Sequence, residues 1–350
     1  MFVTQKDIAR ELGVSLVTVS RALNNSGYVS AKLKKRILDH VKKTSYVPHR
    51  ASQVLVRNTV KTIAVFSSSQ PEYFWDEIDR GVRMAAEQIR PFNYQVHFHR
   101  IPNYNTKKFC SLLKKEIRNG LNAAAFVNHG IFDMKLIYGI AEKAGIPYVM
   151  YNTDAPESKR LCYIGPDLVA GGRLAANFIG KALTLKKGGK VLIIGYDKVR
   201  KREESFLEEM KRTYPLCICN VARLAGNSHD HFEEKQILEI LSKNQKNVDA
   251  VYSIVPFNPA FHAALRKLDY RNTIVVQHDM NDSVIQCLNE DLVTAVVFQD
   301  PGLQGLMTVR ILERILENKI PEVQENIEIS HTLILRENIS YATHSDMILY

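Results

Sequence analysis

The 350-residue chain is expected to fold as a small all-α helix-turn-helix headpiece followed by an α/β core of two lobes, with parallel sheets and a cleft between the lobes. Three observations predict this. Residues 4–24 (TQKDIARELGVSLVTVSRALN) read as two capped helices joined at a glycine. The excess positive charge is concentrated at the N-terminus: residues 1–61 hold 12 Lys+Arg and 3 Asp+Glu, out of 47 and 37 in the whole chain. From Thr62 onward, short apolar runs alternate with amphipathic stretches, the pattern of parallel strand–helix units.

The N-terminal elements follow from local chemistry. Thr4 is an N-cap, and Asp7 three residues later completes a capping-box pattern. Ile8, Ala9 and Leu12 recur at helical spacing. Gly13 stands where a helix end wants a residue tolerant of positive φ. Ser15 caps a second helix whose Val19, Ala22 and Leu23 point inward. Leu16, Val17, Ser20 and Arg21 are thereby left on its outer face. Ser30 caps a third helix with Leu33, Ile37, Leu38 and Val41 as its buried stripe, the remainder being covered by lysine and arginine. Pro48 disfavours a helical Val47 and ends the unit. A local basic excess on a helix-turn-helix reads as a phosphate-binding footprint, with the second helix placed to enter a DNA major groove.

The segments DIARELGVS, TVSRALN and TSYVPHRASQVL together resemble the headpiece of the LacI/GalR family of bacterial transcription regulators. The resemblance continues, more weakly, to the end of the chain. It implies residues 1–47 as the DNA-binding headpiece and 48–60 as a hinge that becomes a short helix on DNA. There Leu55 wedges into the minor groove, and Ser52 replaces the family's usual alanine. The DNA-contacting set it implies is Thr4, Ser15, Leu16, Val17, Thr18, Ser20, Arg21, Asn24, Tyr46, Ser52 and Leu55. Arg21 can pair with a guanine or a phosphate, and Leu16 and Val17 can offer apolar contacts to thymine methyls.

Core strands are expected at 62–66, 94–98, 123–127, 147–151, 190–194, 250–254, 273–277 and 294–298, and helices at 76–89, 168–182, 232–242 and 304–316. There are too many units for one compact sheet, so two lobes fit better. The resemblance implies a periplasmic-binding-protein-like arrangement with three crossovers, near Tyr163, Phe298 and Ile329. The N-terminal lobe then comprises 61–162 and 299–329, and the C-terminal lobe 163–298 and 330–350.

Ligands of open parallel sheets bind beyond the C-terminal ends of the strands. After the first strand stand Phe74 and Trp75, where sugar-binding relatives place stacking aromatics. After the fourth stand Asn152 and Asp154. An arginine four residues before a phenylalanine maps to Arg202 and Phe206, with Ser205 at the usual glycine. Asp279 matches an acidic residue that accepts sugar hydroxyl hydrogens. Gln299-Asp300-Pro301 with Gly305 forms the core's most specific signature; Gln299 is the ligand candidate, while Asp300 and Pro301 shape the crossover and helix start. After the strand at 250–254 the family's Asn-Asp is replaced by VPFNP, which leaves Phe257 or Asn258 as a lining residue. Asp167 and Gly171-Gly172 are kept from a family D-N-x-x-G-G pattern, with Leu168 in place of the asparagine.

The expected function is therefore a repressor of carbohydrate-use genes, a homodimer on near-palindromic double-stranded operator DNA, controlled by a small sugar-like effector. A regulator governed by a protein co-repressor or a non-sugar effector is the alternative. A sugar-transport receptor would share the core but lack the basic headpiece. No catalytic constellation suggests an enzyme, and no cofactor is implied. Neither a signal peptide nor an apolar run long enough to span a membrane is seen, and the five scattered cysteines suit a reduced, cytoplasmic protein. His97/His99 and His229/His231 are read as surface histidines, because no Cys or carboxylate set at ligand spacing accompanies either pair. Cys217 and Cys219 lack a partner pair.

Overall fold

The computed structural model describes residues 3–24, 27–44, 59–102, 105–128, 132–196, 200–224, 234–254 and 259–343. Of the sequence candidates, Tyr46, Ser52, Leu55, Phe257 and Asn258 lie outside these residues, as do the Asn24 side chain, His229 and His231.

In the N-terminal unit, α1 (Gln5–Leu12), α2 (Leu16–Asn24) and α3 (Ala31–Lys43) close on a small core. The capping box forms as expected. Asp7 N donates to Thr4 Oγ1 at 3.3 Å, and Thr4 N donates to Asp7 Oδ2 at 3.0 Å. Gly13 takes φ 65°, a left-handed conformation that releases the chain from α1. Ser15 Oγ accepts from Thr18 N at 3.1 Å and starts α2. Ile8, Ala9, Val19, Ala22 and Ile37 are buried, ringed by half-buried Leu12, Val14, Leu23, Leu33 and Val41. Leu38 departs from expectation. It is exposed because one step along a helix turns it away from the Leu33–Ile37–Val41 row.

The core unit contains two six-stranded sheets among the described residues. The first runs in the order β11-β5-β4-β3-β1-β2 and is parallel throughout. Its strands are β1 (Lys61–Ser68), β2 (Tyr94–Ile101), β3 (Leu121–Phe126), β4 (Tyr148–Tyr151), β5 (Tyr163–Pro166) and β11 (Asn326–Ile329). The second sheet has the order β12-β10-β9-β8-β6-β7. It is built from β6 (Lys190–Gly195), β7 (Ile218–Arg223), β8 (Ala250–Ser253), β9 (Ile274–His278), β10 (Ala295–Phe298) and β12 (Thr332–Ile334), with β12 alone antiparallel.

Helices cover both faces of each sheet. In the first lobe, α4 (Glu72–Ile89) and α12 (Pro301–Leu316) pack together, while α5 (Thr106–Arg118) and α6 (Met134–Lys143) bury Phe109, Leu113 and Ile137 against Phe66 and Phe126. In the second, α7 (Leu168–Thr184) and α8 (Arg200–Thr213) pack together over β6 and β8. Across that sheet, α9 (Glu234–Asn244), α10 (Pro259–Leu268) and α11 (Asp282–Asn289) enclose Leu241, Leu265 and Leu288. A short α13 (Ile339–Thr343) follows β12.

The chain passes between sheets after β5, after β10 and between β11 and β12. The first passage, expected near Tyr163, comes after Pro166, and β5 stays in the first sheet. The four residues Tyr-Ile-Gly-Pro of β5 contain the two residue types least suggestive of a strand, yet they pair with β4 and β11. Another difference is the start of α4. It begins at Glu72, one turn before the expected Asp76, so Phe74 and Trp75 belong to the helix.

The α4–α12 contact explains the glycine of the Gln-Asp-Pro signature. A Cβ at Gly305 would meet Ile78 O at 2.2 Å, and one at Gly81 would meet Gly302 O at 1.9 Å. Backbone thus lies directly on backbone, and α12 is seated on the first lobe as it leaves the second. Gly305→Ala is expected to force the helices apart and to destabilise the core by about 1–3 kcal/mol. Denaturant unfolding of the purified protein checks this; an unchanged midpoint would mean that the helices separate without cost.

Candidate nucleic-acid interface and ligand cleft

On the headpiece, the outward face of α2 is apolar at one end and basic at the other. Leu16 and Val17 are 42% and 56% exposed, large apolar side chains left in solvent. Arg21 is also exposed, and its stem lies 3.2 Å from the position of a Cβ on Gly27. Thr4 and Ser15 serve first as helix caps, and Ser15 Oγ also lies 2.8 Å from Thr18 Oγ1. Ser20 is half-buried. Lys32, Lys35 and Arg36 add exposed positive charge on α3. Capped helix starts, two exposed aliphatics and flanking cations form a surface that can take phosphates at its rim and base edges at its centre.

In the core, the expected polar residues meet where the chain crosses between lobes. Asn152 Nδ2 donates to Gln304 Oε1 at 3.0 Å, and Gln304 Nε2 donates to Gln299 O at 2.8 Å. Gln299 Nε2 donates to Asp279 Oδ1 at 2.6 Å, and Arg202 Nη2 approaches Gln299 Oε1 at 3.4 Å. Arg202, Asp279, Gln299 and Gln304 are all buried. Asn152, Asp279 and Asp300 each take a left-handed conformation, with φ 59°, 65° and 46°; the first two directly follow β4 and β9, and Asp300 follows β10 after Gln299. These are turn residues that tolerate that region, and they swing the chain off the strand ends. Asp300 Oδ1 then accepts from Leu303 N at 2.9 Å and Pro301 opens α12, as the signature suggested.

Around Arg202 lie groups that sequence reasoning missed. Tyr252 OH and His278 Nε2 share a 2.7 Å hydrogen bond. His331 approaches Gly171, where a Cβ would stand 2.8 Å from its Nε2. Gly172 in turn lets α7 meet α8, since its Cβ would fall 2.4 Å from Arg202 O. Arg202 Nε, His278 Nδ1 and His331 Nε2 are buried without a hydrogen-bond partner among the described residues. Unpaired buried polar atoms are costly, and a cluster of them points to a polar ligand. No local motif marks His278 or His331; the signal available was their position at a strand end and at the third crossing.

A cavity of about 320 Å³ opens beside this network. Tyr73, Phe74, Asp76 and Glu77 of α4 form one side, and Asp279, Asn281, Asp282 and Ile285 the other. Of the sequence candidates, Phe74 and Asp279 stand on its wall. Trp75 does not. It is 1% exposed, meets Tyr151 and Phe74 edge-on, and its Nε1 donates to Gln70 O at 2.8 Å. The earlier start of α4 puts it on the inward row with Ile78 and Val82. Asp154 is also engaged elsewhere. Arg160 Nη2 donates to its Oδ2 at 2.9 Å and Arg160 Nε lies 2.6 Å from Oδ1, so this carboxylate pins its own loop.

Electrostatics follow burial. Burial raises the Asp279 carboxyl pKa, opposed by Arg202 and the hydrogen bond from Gln299. Burial and the nearby Arg202 push His278 well below its ordinary range, and burial with Arg202 lowers His331 to about 4, against the pull of Asp167. A histidine whose folded pKa lies below its unfolded value of 6.5 contributes stability above that value, which is lost as pH falls through it toward the folded one. The core should therefore weaken between about pH 6.5 and 4, where the unfolded chain takes up protons the folded chain refuses. His331→Asn should remove close to one proton from this dependence, measured as the slope of unfolding free energy against pH. An identical slope in the variant would contradict the assignment.

Comparison with known proteins agrees with this fold. The family described as bacterial regulatory proteins, lacI family, matches residues 4–49, and the periplasmic binding protein domain matches residues 63–320. The HTH-type transcriptional regulator RegA of Clostridium saccharobutylicum is 32% identical over 116 residues, 33% of this chain and 35% of that protein. Catabolite control protein A of Staphylococcus epidermidis is 22% identical over 231 residues, 65% of this chain and 67% of that protein. Across eight such curated relatives the chain spans 26% to 67% of their lengths. Among solved structures, GanP, a glucose-galactose binding protein from Geobacillus stearothermophilus, shares the fold. Its TM-score is 0.65 at 17% identity, covering 81% of this chain and 99% of that one. Among the described residues no helix is long and apolar enough to cross a membrane. A LacI-type helical headpiece joined to a periplasmic-binding-protein core places this chain in the LacI/GalR family of bacterial regulatory proteins.

Proposed function

We propose that the protein is a sequence-specific DNA-binding transcriptional regulator, a repressor of carbohydrate-use genes, whose operator affinity changes when a small sugar-like effector binds between the core lobes. The observation that carries this reading is the outward face of α2. It presents exposed Leu16, Val17 and Arg21, ordered by the Gly13 turn and the Ser15 cap, within the segment that holds most of the chain's excess positive charge. The headpiece offers one recognition helix, so a homodimer reading two half-sites of a near-palindrome is the natural assembly. Lysines and arginines of α3 supply salt-dependent, sequence-blind affinity, and α2 supplies discrimination. The action on chromosomal DNA makes the protein cytoplasmic, and no catalytic step belongs to it.

The effector reading rests on chemistry at the lobe crossing. A sugar ring has apolar faces ringed by hydroxyls. Phe74 offers a flat surface to a face, Asp279 accepts hydroxyl hydrogens, and the fork of Arg202 donates to hydroxyl oxygens. Trp75, set edge-on behind Phe74, holds that surface in place. The glucose-galactose binding protein with the same fold makes a monosaccharide the first class to test. The bound ligand would draw on residues of both lobes, so it favours one lobe arrangement over another. A coupling of about 1–3 kcal/mol, or 5–150-fold in operator affinity, is the usual scale.

Arg21→Ala is expected to weaken binding to the promoter fragment about 10–100-fold at physiological salt, measured by fluorescence anisotropy. Wild-type affinity in that variant would remove α2 as the reading element. A melting-temperature screen with pentoses, hexoses, their phosphates and sugar alcohols should give a saturable rise with one compound. That rise should vanish in Arg202→Met and in Asp279→Asn. Its survival in both variants would place the ligand elsewhere. Because the indole of Trp75 is enclosed, melting is a better reporter here than its fluorescence.

A further inference from the structure

Away from the cleft, β2 carries His97 and His99. Alternate residues on a strand share a face, so both rings stand on the side covered by α5. Sequence spacing alone left them as surface histidines without a carboxylate. The fold supplies one. Glu116, near the end of α5, lies with Oε2 at 2.9 Å from His97 Nδ1 and Oε1 at 3.0 Å from His99 Nε2. Three potential ligand atoms, one from each residue, all lie within 4.8 Å of one another.

We propose that His97, His99 and Glu116 form a binding site for a first-row divalent transition-metal ion, with Zn²⁺ the best match. Two neutral imidazoles and one carboxylate are the ligand set of three-protein-ligand zinc sites that keep a fourth position for water. The same set disfavours Mg²⁺ and Ca²⁺, which take oxygen ligands. Zinc bonds of about 2.0–2.2 Å require ligand atoms a little over 3 Å apart, so small rotations of the two rings suffice. The carboxylate is already positioned. Glu116 is only 6% exposed. His99 is oriented by stacking on Phe66, at 5.0 Å between ring centres and 28° between planes. Its neighbour Arg100 points to the opposite face, where its Nη2 donates to Asp76 Oδ1 at 2.6 Å, so no cation competes from that side chain. The side chains of His97 and His99 are 38% and 22% exposed, which leaves a path for an ion and for its water.

An ion here would replace two hydrogen bonds with three coordinate bonds and fasten β2, at one edge of its sheet among the described residues, to α5. The test uses the full-length protein. Zn²⁺ titration against a chromophoric chelator should give one ion per chain. His97→Asn and Glu116→Gln should each weaken that site by at least about 10-fold. Since His97 is half-exposed, its variant should keep the wild-type circular dichroism. The five cysteines provide the main competing ligands. Co²⁺ substitution separates the two cases: the proposed site gives a visible d–d spectrum without a thiolate-to-metal charge-transfer band. Zn²⁺ should also raise the melting temperature of wild type and not that of His97→Asn. No uptake by wild type, undiminished uptake by both variants, or a thiolate band that accounts for the bound ion would overturn the proposal.

Discussion

The hydrogen-bonded path from Asn152 through Gln304 and Gln299 to Asp279 is the tie on which the core depends. It runs from the end of β4 in one lobe to the end of β9 in the other, and three of its four members are buried. Buried amides and carboxylates are tolerated only when paired, so each member holds its neighbour to a narrow geometry. Arg202 joins the same path from α8. A polar chain of this kind resists the lobes drifting apart and can be rewired by a ligand that offers the same hydrogen bonds. Structure and the proposed switching therefore rest on one set of residues.

That tie is placed by backbone contact. Gly81 and Gly305 let α4 and α12 lie surface to surface, and the left-handed Asp300 with Pro301 launches α12 as β10 ends. Gln304 reaches back to Gln299 because it sits one turn into that helix. On the other side, Gly172 seats α7 against the Arg202 turn of α8. Where glycine would normally be too permissive, close helix packing makes it restrictive. The headpiece relies on a different balance. Its apolar core is small, and its helix starts are secured by Thr4, Asp7 and Ser15. Leu16 and Val17 remain outside that core, a cost in solvent that a nucleic-acid partner would recover.

Much of this was legible in the residues. The headpiece helices, their caps and the Gly13 turn stand in one-dimensional patterns, because capping and amphipathicity are local. The eight runs read as strands all proved to be strands; β2 apart, they are buried along most of their length, and a strand covered on both faces is largely apolar. The strands that escaped notice are short or lie at sheet edges. β7 shows mainly exposed residues, β11 and β12 sit at the two sheet margins, and β5 contains Gly and Pro. Their pairing is dictated by neighbours distant in sequence.

The candidate sites divide along the same line. The sequence by itself determined the chemistry on offer: the exposed face of α2, the basic headpiece, the Gln-Asp-Pro crossover, and Arg202 and Asp279 as polar groups beyond strand ends. Only the tertiary structure decided which of these meet. It turned Trp75 inward through a helix that starts one turn early, gave Asp154 to Arg160, and brought His278 and His331 to Arg202. It also carried Glu116 across to His97 and His99. The physical reason is common to all four. Helix phase, ion-pair partner and strand-to-helix packing depend on contacts between segments far apart in the chain, and local periodicity holds no record of them.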